Sequence, residues 1–162
     1  MNVLGMKVTL NIDETVVQAY ESVSRGGLPY AVFCYDEHTI SVASLGDPDY
    51  RWDDLMANFS PQDICWVLVN VEYRTTDGGR RSKLCLVRWV PDTLRRDGFR
   101  ESVLLKQCGI YGEQTLRQIM PSVATTIQAN DFDAVTYDAM LTKASRFERE
   151  SIDYSWTPNF LQ

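Results

Sequence analysis

The residues able to do chemistry are few and scattered. His38 is the only histidine in the 162-residue chain, and it follows Asp36-Glu37 in a turn-like stretch. A general base needs a nucleophile within reach and a partner that orients it. Nothing around His38 suggests either, so a solvated turn residue is expected. Cys34, Cys65, Cys85 and Cys108 occur singly, with no C-x-x-C pair. The clustered soft ligands of a zinc site are therefore missing. Cys34, Cys65 and Cys85 lie in or beside apolar runs and are expected as free thiols of a core. The carboxylate pairs Asp13-Glu14, Asp36-Glu37 and Asp53-Asp54 fall at helix starts or turns, where they stabilise helix N-termini without catalysis. The chain has no G-x-S-x-G, no Walker A loop and no G-x-G-x-x-G. These observations point away from an enzyme and imply no cofactor.

Cations are the more informative group. The chain carries a formal charge of −6 and a sequence pI of about 4.7, which disfavours nucleic acid as a partner. Yet Arg80, Arg81, Lys83, Arg88, Arg95, Arg96, Arg100 and Lys106 place eight of its 16 basic residues in one short stretch. A locally basic surface on an acidic protein suits an acidic partner met in one orientation. Within Gly79-Arg80-Arg81-Ser82-Lys83, strand alternation puts Arg81 and Lys83 on one face. A solvated hairpin tip explains them equally well from composition alone. Arginine's bidentate geometry makes an acidic protein surface the natural partner otherwise.

The elements that must position these residues can be read from periodicity. Asp13-Glu14-Thr15 opens a short helix carrying Val16, Val17 and Tyr20, which ends at Arg25-Gly26-Gly27. Residues 30–35 and 39–45 read as two strands around the Asp36–His38 turn. Residues 50–59 read as a helix with Trp52, Leu55, Met56 and Phe59 on one stripe. Residues 65–73 and 83–90 are strong strands joined by Thr75-Thr76-Asp77-Gly78-Gly79. Both are apolar at most positions, as expected when helices cover both faces of a sheet. A long helix is expected over about 95–120, with Val103, Leu104, Ile110, Leu116 and Ile119 apolar and a kink or break at Gly109 and Gly112. A strand over 125–129 and a helix over 136–149, with Tyr137, Met140, Leu141 and Ala144 inward, complete the pattern. The fold class is α+β, a central mixed sheet between helices. Hydrophobic residues at 44% fit one globular domain over 1–148, followed by a 149–162 tail that either docks or moves. No signal peptide or membrane-spanning run is read.

The chain resembles ADF/cofilin proteins over about residues 3–146. The strongest block is Asp63-Ile-Cys-Trp-Val-Leu-Val-Asn-Val-Glu-Tyr73, followed by Gly78-Gly79, Arg81-Ser82-Lys83 and Trp89-Val90-Pro91-Asp92-Thr93. A second runs through Leu116-Arg117, Ile127-Gln128-Ala129, Asp131-Phe132, Tyr137-Asp-Ala-Met-Leu141 and Ala144-Ser145-Arg146. The resemblance implies the ADF homology fold and a cytoplasmic, cytoskeletal monomer that binds actin monomers and filaments and severs or depolymerises filaments. It implies one surface for both actin forms, with Gly5, Arg100, Lys106 and Gln107. A second, for filaments only, has Arg81, Lys83, Lys143 and Arg146. Phosphoinositides are implied as competitors for the basic surface.

This sequence departs from the pattern in the long helix, where Leu104-Leu105 precedes Lys106 and Gln107 follows it. Arg100 and Lys106 thus remain alternative holders of the key positive charge. A coactosin-like protein that decorates filaments without severing is the alternative this departure motivates. The filament patch weighs against a monomer-only binder. From other classes, a small enzyme lacks its signatures, and a lipid-surface module rests on the same basic patch as the competing headgroup.

Overall fold

Apolar residues at nearly every position of two adjacent strands demand cover on both faces. The structure, a computed structural model, describes residues 2–3, 6–7, 10–94, 99–146 and 151–162 and supplies that cover. Six strands form one mixed sheet: β3 (Asn11–Ile12), β4 (Tyr30–Asp36), β5 (Thr39–Leu45), β6 (Cys65–Arg74), β7 (Arg80–Trp89) and β8 (Thr125–Ala129). Their spatial order is β3-β5-β4-β6-β7-β8, parallel at the two edge pairs and antiparallel between. A separate antiparallel pair joins β1 (Asn2–Val3) and β2 (Met6–Lys7).

Alternation on β6 sorts the core into two layers. Val67, Val69, Val71 and Tyr73 face a cluster with α2 (Trp52–Met56) and α4 (Tyr137–Ala144). Trp66 and Leu68 face a second cluster with α1 (Glu14–Ser24) and α3 (Phe99–Ile119). Each fully buried side chain of this kind contributes roughly 1.5–3 kcal/mol. β6, buried at most positions, and the buried second half of β7 therefore anchor the fold.

Local chemistry sets the helix ends. Asp13 caps α1, accepting from the Thr15 amide at 2.9 Å and from its hydroxyl at 2.7 Å. Those bonds hold the Asp13 carboxyl below its ordinary range. Thr136 caps α4 by accepting from Ala139 N at 3.2 Å, and Tyr137, Met140, Leu141 and Ala144 are all buried as expected. α2 is shorter than the stripe over 50–59 suggests. The Asn58 side-chain amide donates to the Asp54 and Leu55 carbonyls and closes the helix early. Phe59 is nonetheless buried beyond its end.

α3 corrects the expected break. It runs for 21 residues through Gly109 and Gly112, because these glycines serve close packing. A Cβ on Gly112 would lie 2.2 Å from the Trp66 ring, and one on Gly109 2.6 Å from Val90. β7 begins at Arg80, three residues earlier than the apolar run indicates, since register pairing continues to Arg74–Arg80.

The 151–162 segment docks. Phe160 is buried among Tyr50, Trp52 and Tyr137, with ring centroids 5.3–5.4 Å apart.

Candidate functional site

The long helix presents a polar outer face. Lys106 and Gln107 are exposed on α3. Ile110, expected on the apolar face, is instead 38% exposed. It follows Lys106 by one helical turn, and both line a groove of about 350 Å³ with Asp92, Gln128 and Asn130. The helix is held to the sheet by two buried ties. The Trp66 indole N–H donates to the Gly109 carbonyl at 2.9 Å. Arg88 on β7 pairs with Glu113 on α3 at 3.4 Å, with only 12% and 10% of these side chains exposed. Gly5 and the side chain of Arg100 lie outside the described residues, as do Arg95 and Arg96.

A second basic surface is built on an arm. β4 pairs with β6 only as far as Tyr30–Val69, and β8 first meets β7 at Cys85. Residues 71–83 therefore continue as a two-stranded ribbon whose Val71 and Tyr73 side chains stay buried in the α2–α4 core, closed by a loop in which Thr75 donates to the Asp77 carboxylate. Arg81 sits opposite Tyr73 and Lys83 opposite Val71. By alternation both share the face of Cys85 and Val87, which is the α4 side of the sheet. Arg81 is exposed and Lys83 half-buried. The Tyr137 hydroxyl of α4 donates to the Glu72 carbonyl on the arm. Lys143 and Arg146 are exposed at the other end of α4, where Lys143 Nζ donates to the Gln128 carbonyl at 3.4 Å. Lys106 and Gln107 thus lie on the helix that covers one sheet face, and the Arg81, Lys83, Lys143 and Arg146 group belongs to the other.

Two of the cations counted in the basic stretch between residues 80 and 106 have intramolecular partners. Arg88 is consumed in its buried pair with Glu113. Arg80 turns to the Trp156 ring, its Cζ 5.4 Å from the centroid. Neither engagement was visible in the sequence, because Glu113 and Trp156 lie far along the chain.

The remaining reactive groups have structural roles. His38 lies in the β4–β5 turn with φ of 67°, its Nδ1 3.1 Å from the Tyr35 hydroxyl. Burial pushes the Cys65 and Cys85 thiols up to about 12, which makes them poor nucleophiles. All four cysteines are free. Among the described residues no group of three His, Cys, Asp or Glu could hold a metal ion, and no helix is long and apolar enough to cross a membrane.

Comparison with known proteins agrees with this architecture. Residues 9–145 match the family described as cofilin/tropomyosin-type actin-binding protein. The cofilin of Cryptococcus neoformans is 30% identical over 121 residues, covering 74% of this chain and 83% of that one. The crystal structure of Streptomyces griseoflavus cofilin superposes with a TM-score of 0.72 at 26% identity, covering 84% of this chain and 99% of that one. Human coactosin-like protein shares the fold, with a TM-score of 0.68 at 16% identity over 92% of this chain and 97% of that one. With most of its length matched, the chain belongs to the cofilin/ADF family, whose members are actin-binding proteins and not enzymes.

Proposed function

We propose that this protein binds monomeric and filamentous actin and promotes filament severing and depolymerisation. The observation that carries the reading is the division of basic side chains between two faces of one sheet. Lys106, with Gln107 and Ile110, would meet both actin forms together with Gly5 and Arg100. Arg81, Lys83, Lys143 and Arg146 would meet a neighbouring subunit and so engage only in filaments. A protein that touches two subunits at once shifts a filament toward whichever subunit arrangement it binds more tightly. Strain at the boundary between decorated and bare segments then favours breakage. The protein would act as a monomer in the cytoplasm and on the cytoskeleton. A phosphoinositide headgroup would compete for the same cations.

The altered long helix favours a second reading, a coactosin-like side binder that does not sever. Fluorescence microscopy of single filaments separates the two. Severing shortens filaments and multiplies ends in proportion to added protein. Side binding alone leaves filament length unchanged at full decoration.

A further inference from the structure

The base of the β6–β7 arm rests on the core through Val71 and Tyr73, but its far end, from Arg74 to Arg80, lies beyond the pairing with β4 and β8. A two-stranded ribbon is marginally stable in water, and its outer edges expose unpaired backbone groups. Residues 151–162 close the β6 edge. Ile152 bridges Thr75, Asp153 N donates to the Arg74 carbonyl at 2.8 Å, and Thr76 N donates to the Ser151 carbonyl at 2.9 Å. Side chains reinforce the seam. The Asp153 carboxylate lies 4.0 Å from Arg74 Nε, and Trp156 lies against Arg80. Beyond the seam, Pro158 and Phe160 are buried, with Phe160 stacked on Tyr50. The segment is thus fastened at the arm and in the core. It also lies outside the family match, which ends at residue 145.

We propose that residues 151–162 form a positioning strap for the filament-side surface. The strap stiffens the arm and presets Arg81 and Lys83, so filament affinity depends on it and monomer affinity does not. This rests on the two-surface reading above. The strap engages Arg74 and Arg80, and Arg81 stays solvent-accessible beside Trp156, as a buttress of the arm requires. A preset arm loses less freedom on binding, and that difference appears as affinity.

The test uses the full chain with Asp153→Asn and Trp156→Ala, which spare the Phe160 anchor. Hydrogen exchange at the Thr75 and Thr76 amides should accelerate about tenfold while Val67 and Leu68 stay protected. Filament affinity should fall about fivefold, with monomer affinity within about twofold. Trp156→Phe alone should keep the wild-type values, because a ring still faces Arg80. Unchanged arm exchange, unchanged filament affinity or tighter filament binding would each overturn the strap. Arg81→Ala with Lys83→Ala is run alongside. Equal loss of both actin forms in that variant sinks the two-surface reading and the strap's filament role with it. A filament-specific loss there, with none from the strap variant, sinks the strap alone.

Discussion

The Trp66 indole N–H donates to the Gly109 carbonyl in the middle of α3, and Gly112 one turn later leaves room for the same indole. One tryptophan thus sets the height of the long helix above the sheet. Gly112→Ala should raise helix propensity by about 1 kcal/mol yet lower net stability by about 1–2 kcal/mol, because overpacking wins. Urea denaturation measures the difference. A stabilised variant would mean that α3 tolerates displacement from Trp66.

The second tie of α3 is electrostatic. Glu113→Ala strands the Arg88 charge where only 12% of its side chain is exposed. The expected cost is about 3 kcal/mol. Arg88→Met combined with Glu113→Leu should recover most of it, since an apolar pair of similar volume needs no desolvation. A double-mutant cycle in urea gives the coupling, and additive losses would show that the pair is not a unit.

The two exposed surfaces should separate in binding. Arg81→Ala with Lys83→Ala should weaken filament binding on the order of tenfold, about 1.4 kcal/mol, and leave monomer binding within about twofold. The salt dependence of filament binding should flatten as well. Lys106→Ala with Ile110→Ala should instead weaken both forms alike. Titration of labelled monomers and filaments at two salt concentrations distinguishes these patterns.

Most of the fold was legible because period and burial coincide. The β6 and β7 runs, the Asp13 cap and the inward stripe of α4 each follow from local spacing. What escaped depends on distant partners. β3 is a two-residue strand set by its register with β5 and by Ile12 packing on the core. Gly109 and Gly112 look like helix breakers until Trp66 is seen beneath them. The 151–162 segment has no period, since its order comes from Phe160 among three rings and from the edge of β6. The cations were readable as residues, but the engagement of Arg80 by Trp156 and of Arg88 by Glu113 was not.

Alkaline pH should destabilise the protein. Burial raises the Cys65 and Cys85 thiols from an ordinary value of 9.0 to about 12 in the folded state. Between those values the unfolded chain releases protons that the native chain keeps, so native stability falls as pH rises. Below about pH 9 both states hold these protons and the effect vanishes. The urea midpoint should be level from pH 7 to 8 and drop by pH 10.5. A flat midpoint throughout would contradict burial of these thiols.

Co-sedimentation with filamentous actin, with both proteins scored in pellet and supernatant, asks whether this protein binds filaments and takes them apart. This protein should pellet with filaments while part of the actin moves to the supernatant. A protein that never pellets, with actin distribution unchanged, would contradict this expectation.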